Sequence, residues 1–312
     1  MYVAIDIGGT QMRSALIDES FNILTRNSTE TGLNSRPLDL FSHVTNIIKS
    51  DLKKFTDLPV SGFGVSAPSV DKRSGKFVNP PNLPLWDEFS ILEFIETEFS
   101  VPAYVGNDAS LAALAEHKLG SGVGTKNMLY FTISTGVGGG IIINGDLYEG
   151  ESGFAGELGH ITVNASGEKC NCGNIGCLET YISGPSIVRQ FLEKLDKGRE
   201  SILRSDSIPT TAQIFEASSA GDILSKEVVG VAGGYLGVGI VSVMHTFEPE
   251  RIVIGGGVSA GLNQLMPYIS ERVSRNALAH FNGCIDIRRA NFSKDSSLIG
   301  AACYVELQNL VT

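Results

Sequence analysis

Positive charge is in short supply: 24 lysines and arginines stand against 34 aspartates and glutamates, a formal net charge of -10. A broad nucleic-acid surface needs a basic patch that releases counterions, so no nucleic-acid partner is expected. An anionic ligand must then be held locally, by backbone amides or a metal. The N-terminus lacks a basic segment, apolar core and small-residue cleavage site, and it runs almost directly into a strand at Tyr2. No export signal is expected, and a cytoplasmic location follows. Long apolar runs are also missing. A long uncharged run, Gly230 to Phe247, carries many glycines and His245 and falls short of a comfortable span, so it reads as a core helix and no membrane partner is expected. With 42% hydrophobic and 19% charged residues, the 312-residue chain is ordinary globular material, long enough for two domains.

Cysteine is scarce as well, 5 in the whole chain, but Cys170, Cys172 and Cys177 stand together, with His160 shortly before them. Three thiols and an imidazole are the donor set of a closed, tetrahedral structural zinc site. The spacing matches neither a two-CxxC ribbon nor a two-Cys, two-His finger. Cys170 and Cys172 are too close for easy pairing, and Cys284 and Cys303 are scattered singly, which disfavours disulfides in a reducing compartment. Buried thiols at a turn are the remaining alternative. Glu157 and Glu179 bracket this segment, placed to accept hydrogen bonds from a ligand's hydroxyl groups without being metal ligands.

Glycine, by contrast, is plentiful and patterned. Tyr2 to Ile7 reads as a buried strand, Gly8-Gly9-Thr10 as a tight turn, and Met12 to Ile17 as the returning strand. Met128 to Ser134 is a second strand, Thr135-Gly136-Val137-Gly138-Gly139-Gly140 a second turn, and the strand resumes at Ile141. One glycine hairpin is commonplace. Two in separate halves suggest a duplicated fold with a phosphate-binding turn from each.

Between them, Phe41 to Phe55 has helical spacing, Val60 to Val65 reads as a strand, and the proline-rich stretch Asn79 to Trp86 reads as an irregular loop, either at a cleft edge or as a plain connection. Helix Ile91 to Phe99 and strand Ala103 to Val105 follow. Asn107 and Asp108 then open a helix from Ala109 to Lys118, where they are either caps or chemistry at a strand's carboxyl end. Gly120 to Lys126 lacks the Walker A spacing and reads as a helix stop and linker. Helices are expected at Gly184 to Lys197, Thr211 to Ala220 and Lys226 to His245. Strand Arg251 to Ile254, the turn Gly255-Gly256-Gly257-Val-Ser-Ala260-Gly261, helix Leu262 to Asn276, strand Cys284 to Arg288 and helix Ser296 to Gln308 complete the chain. The late glycine turn fits a dinucleotide fingerprint, which keeps a nicotinamide enzyme as a rival; it serves any nucleotide equally well.

Taken together, Asp6-Ile-Gly-Gly-Thr10, Asn82-Leu-Pro with Trp86, Gly106-Asn-Asp-Ala109, Ala112 to His117, Ser134 to Gly140, Gly156-Glu-Leu-Gly-His160 and the cysteine run to Glu179 resemble the ROK family of sugar kinases, essentially end to end. The resemblance implies an α/β, two-lobed actin-like ATPase (ribonuclease H-like) fold with a duplicated βαβ core and an inserted structural zinc site. It implies a small lobe of residues 1–118 plus the helix 295–312, and a larger lobe of 119–294 carrying the zinc motif. It also implies that Asp108 is the catalytic base for phosphoryl transfer from Mg-ATP to the 6-hydroxyl of a hexose, glucose first. Asn82, Asn107, Glu157, His160 and Glu179 would bind the sugar beside Asp108, with His160 sharing its ring between sugar and Zn2+. Asp6 would be the Mg2+-associated carboxylate. Gly8, Gly9, Thr10 and Thr135, Gly136, Val137, Gly138 would cradle the phosphates, with Gly255, Gly256 and Gly257 beside the adenosine. A homodimer or homotetramer is implied too. N-acetylmannosamine, N-acetylglucosamine, fructose and allose remain open as acceptors, and polyphosphate as donor. A sugar-sensing repressor shares the family's domain, but the hairpin at Asp6 leaves no room before it for a helix-turn-helix. Two positions depart from the family pattern: Ser66-Ala67-Pro68, where a glycine-and-proline turn is usual, and Asn164, where proline is common.

Overall fold

The computed structural model describes residues 1–311 except 33, 35, 81–82, 204–206, 282–284 and 293. The chain divides into two compact units, Met1–Gly120 with Leu147–Gly156 and Lys294–Thr312, and Ser121–Asp146 with Glu157–Ser293.

In the first unit, β1 (Tyr2–Ile7), β2 (Gln11–Ile17) and β3 (Ile23–Glu30) lead through α1 (Pro37–Leu52) to β4 (Gly62–Ser66), then through α2 (Ile91–Phe99) to β5 (Ala103–Gly106) and α3 (Asp108–Leu119). The sheet order is β3-β2-β1-β4-β5. β1 pairs antiparallel with β2 and parallel with β4, and every residue of it is buried, which is why it reads as an unbroken apolar run with one carboxylate. The edge strand β3 was not expected. Its residues Thr25 to Glu30 carry no apolar run, and pairing with β2 supplies what local pattern does not.

In the second unit, β6 (Met128–Ile133), β7 (Val137–Ile143) and β8 (Asp146–Leu147) precede the cysteine segment and helices α4 (Glu179–Ile182), α5 (Gly184–Asp196), α6 (Thr211–Ser219) and α7 (Ile223–Phe247). Then come β9 (Arg251–Gly255), α8 (Leu262–Asn276), β10 (Asp286–Arg289) and α9 (Ser296–Val311). The order β10-β9-β6-β7-β8 is that of the first sheet, with β6 pairing antiparallel to β7 and parallel to β9. The wiring is duplicated. α9 returns to the first unit, where it packs on β1, β4, β5 and α3.

Three local readings change. The second turn is shorter than the glycine run: β7 starts at Val137, so Val137 and Gly138 to Gly140 are strand residues paired with β6. Within the proline-rich stretch, Pro84–Trp86 forms one 3₁₀ turn, because Trp86 is fully buried against Phe41 and Phe77. Residues 147–156 belong to the first unit, where the Tyr304 hydroxyl donates to Glu149 at 3.0 Å and Lys72 pairs with it at 3.3 Å. α7, at 25 residues, is long and apolar enough to cross a bilayer, but Leu224, Val228, Leu236 and Ile240 are core residues packed among α5, α6 and α8.

Candidate functional site

The second unit carries the cysteine cluster. The donor atoms of His160, Cys170, Cys172 and Cys177 all lie within 4.8 Å of one another. Cys170 Sγ is 3.8 Å from His160 Nδ1, and Cys172 Sγ is 3.7 Å from Cys177 Sγ. A tetrahedral zinc with bonds of about 2.3 Å to sulfur separates its donors by about 3.8 Å, so the set fits that ion. Tight turns make this possible: Cys170 N–H donates to Asn174 O, and Gly173 N–H to Cys170 O. Burial pushes the Cys177 thiol up to about 12, whereas the Asn174 amide holds Cys172 below its ordinary value. Asn164 fastens the segment to the helices, its amide donating to the Tyr181 hydroxyl at 3.2 Å, and Tyr181 stacks on Tyr235.

His160 turns its other nitrogen outward. Nε2 is 3.9 Å from Glu157, whose side chain is 51% exposed. Partial burial of that carboxyl raises its pKa, with His160 opposing and Glu179 adding to the rise. Glu179 faces two ways: Oε2 accepts the Val137 N–H at 2.8 Å, and Oε1 lies 4.0 Å from Cys170 Sγ. One carboxylate therefore ties the second glycine turn to the cysteine cluster. The motif glycine Gly159 presses on the same strand, since a Cβ there would sit 2.0 Å from Val137 O.

Thr135 is exposed at the tip of that turn. It opens on a cavity of about 800 Å³ also lined by Gly257, Val188, Leu192, Ile208 and Pro209. This lies in the size range of small-ligand sites, apolar walls with polar ends. β9 ends at Gly255, and Gly256 takes a φ of 80° where a Cβ would come 2.3 Å from Ile133 O. A 3₁₀ turn, Gly257–Gly261, separates these glycines from α8, so the helix does not open directly on them as a dinucleotide fingerprint requires. A second, polar cavity of about 470 Å³ touches Thr135, Glu179 and Cys170. Val188 and Leu192, one turn apart on α5, went unrecognised in the sequence; two apolar residues at that spacing look like any core stripe.

In the first unit, β5 delivers Asn107 and Asp108 to the start of α3. Asn107 is the N-cap, its Oδ1 accepting from Ala109 N at 3.0 Å and Ser110 N at 3.2 Å, and Asp108 is exposed beside it. The first turn is tight, with Gly8 N–H donating to Gln11 O at 2.9 Å and Thr31 donating to Gly8 O; Gly9 is half-buried and Thr10 exposed. Asp6, just before the turn, is 8% exposed and already engaged: Arg13 Nη2 donates to its Oδ2 at 2.6 Å, and Ser66 Oγ to its Oδ1 at 2.8 Å. Arg13 was not singled out in the sequence, although a hairpin turning at Gly9 and Thr10 puts it opposite Asp6. Asn82 lies outside the described residues.

A ROK family profile matches residues 2–307, and the chain belongs to that family. It is 34% identical over 317 residues to a glucokinase of Halalkalibacterium halodurans, covering 98% of this chain and 95% of the relative. It is also 34% identical over 237 residues to the DNA-binding transcriptional dual regulator NagC of Escherichia coli, covering 76% of this chain and 58% of the regulator. Among solved structures it resembles a ROK family glucokinase from Streptomyces griseus in complex with glucose and AMPPNP, with a TM-score of 0.79 and 26% identity over 98% of this chain and 99% of that one.

Proposed function

We propose that the protein is a sugar kinase of actin-like fold that transfers the γ-phosphoryl group of Mg-ATP to the 6-hydroxyl of a hexose, glucose before N-acetylmannosamine, N-acetylglucosamine or fructose. The observation that carries this reading is the 800 Å³ cavity that runs from Thr135 and Gly257 between apolar walls, a shape suited to a nucleoside with its phosphates at the glycine turn. The glucokinase relatives and the glucose complex of the Streptomyces protein support the acceptor.

In this reading Asp108 takes the proton of the attacking hydroxyl as its oxygen bonds the γ-phosphorus, and the bond to the β,γ-bridging oxygen breaks to release ADP. Mg2+, arriving with the nucleotide, would supply charge neutralisation. Asn107, Glu157, His160 and Glu179 hold sugar hydroxyls, and Asn82 is assigned there by resemblance. Gly8 to Thr10 and Thr135 to Gly138 receive phosphate, and Gly255 to Gly257 border the adenosine. Zn2+ on His160, Cys170, Cys172 and Cys177 would fix the ring of His160 with Nε2 free for the sugar, since Nδ1 faces the thiols. A cytoplasmic homodimer or homotetramer completes the proposal.

The test is ADP release from Mg-ATP with purified protein against a panel of hexoses and N-acetylhexosamines, compared by kcat/KM. One sugar strongly preferred names the substrate. The NagC relative favours a second reading, a sugar-sensing regulator, and sugar binding with no sugar-dependent ADP release would select it.

A further inference from the structure

Three neighbouring strands of the first sheet present one polar residue each at the same level. The β1–β2 register sets Arg13 directly opposite Asp6, and the β1–β4 register sets Ser66 opposite it on the other side. The side chains meet as the registers demand. Arg13 Nε and Nη2 both donate to Asp6 Oδ2, at 3.0 and 2.6 Å, and Ser66 Oγ donates to Oδ1 at 2.8 Å. Arg13 Nη1 donates to Lys294 O, which steadies the guanidinium from the chain leading into α9. Ser66 is fully buried, Asp6 is 11% exposed at its side chain and Arg13 23%. The arrangement is thus shielded from water but open on the arginine side.

A carboxylate offers about four acceptor positions, and three are taken here. Inner-sphere Mg2+ needs an oxygen at about 2.0–2.1 Å in near-ideal octahedral geometry, and a guanidinium on that same oxygen both blocks the approach and repels the ion. Asp6 as it stands does not fit a directly bound divalent cation. Ser66 narrows the choice further: it donates to the other oxygen, which keeps a single open position beside the guanidinium's charge.

We propose that Arg13 holds Asp6 in reserve, as an internal cation that competes with a divalent metal for this carboxylate. Metal alone binds poorly at Asp6. Arg13 is a positioning residue in this account. Competition between Arg13 and metal for Asp6 stands apart from turnover and from the kinase reading.

The experiment is Mn2+ titration of the zinc-loaded, nucleotide-free protein followed by electron paramagnetic resonance. Arg13→Gln should bind Mn2+ at least about tenfold more tightly than the unaltered protein, the size expected from removing a like charge next to the ligand. Adding Asp6→Asn to that variant should abolish the gain, which separates this position from the cysteine cluster. Arg13→Lys keeps the charge without the planar fork and should fall between, and it replaces the glutamine variant if that fails to fold by circular dichroism. Equal Mn2+ affinity in folded Arg13→Gln and unaltered protein, or a gain that survives Asp6→Asn, would overturn the proposal. A failed kinase reading shows separately, as absent ADP release with the metal result intact.

Discussion

The two hairpins that open the two sheets share a topology and differ in what holds their turns. In the first, β1 and β2 are pinned beside the turn by charge: Arg13 on Asp6, with Ser66 behind. In the second, the turn between β6 and β7 is held by one carboxylate, Glu179, which accepts the Val137 N–H and reaches back to Cys170. The same strand order thus carries one turn flanked by an ion pair and one flanked by a carboxylate that reaches the cysteine cluster. A duplicated scaffold sets where a turn goes, and the residues flanking it set what controls it.

The sharpest test of this contrast removes the proposed chemistry from the first unit alone. Asp108→Asn should lower kcat by about 10²–10⁴ while sugar binding, measured by calorimetry, persists. Retained turnover would dismiss the base assignment. Next, Cys172→Ser should abolish the zinc binding proposed for the cysteine cluster and weaken sugar binding. Hydrogen exchange should then quicken across residues 157–180 and stay unchanged in β1 and β2; equal quickening in both would show the two turns are not separately controlled. Gly159→Ala, which drives a Cβ against Val137 O, should destabilise the second unit by about 1–3 kcal/mol in a denaturant titration.

The smallest effect is a pH effect. Asp222 caps α7, accepting from Ser225 N at 2.8 Å and Ile202 N at 2.9 Å; burial works against its charge, but these bonds outweigh it and hold the carboxyl below its ordinary value of 3.8. A depressed carboxylate stabilises the fold above its unfolded pKa, and that contribution is lost as pH falls through the folded value. Asp222→Asn should therefore lower stability at neutral pH, and the difference should shrink toward zero as pH falls below 3.8. A difference independent of pH would assign the cap to shape rather than charge.

Much of this was legible in the chain because the signals are local. β1 reads as apolar residues broken by Asp6, α2 and α8 were placed to the residue, and Cys170, Cys172 and Cys177 need only a short turn to meet His160. What stayed hidden depends on pairing and packing partners rather than on the local pattern. β3 is polar and owes its form to β2, and Trp86 is a core residue in what looks like a loop. The division of Glu179 between Val137 and Cys170 follows from tertiary packing that no spacing encodes. Arg13 is an intermediate case. A turn centred on Gly9 rather than between Gly9 and Thr10 would have put Met12 opposite Asp6 instead, and the register alone decides between them.

The measurement that bears most directly on the central claim is ³¹P NMR of the products formed from Mg-ATP and glucose by the zinc-loaded protein. The account predicts a glucose 6-phosphate resonance growing in step with ADP, and lost in Asp108→Asn. Inorganic phosphate as the only new product, or no turnover with this or any other hexose by a folded sample, would contradict it.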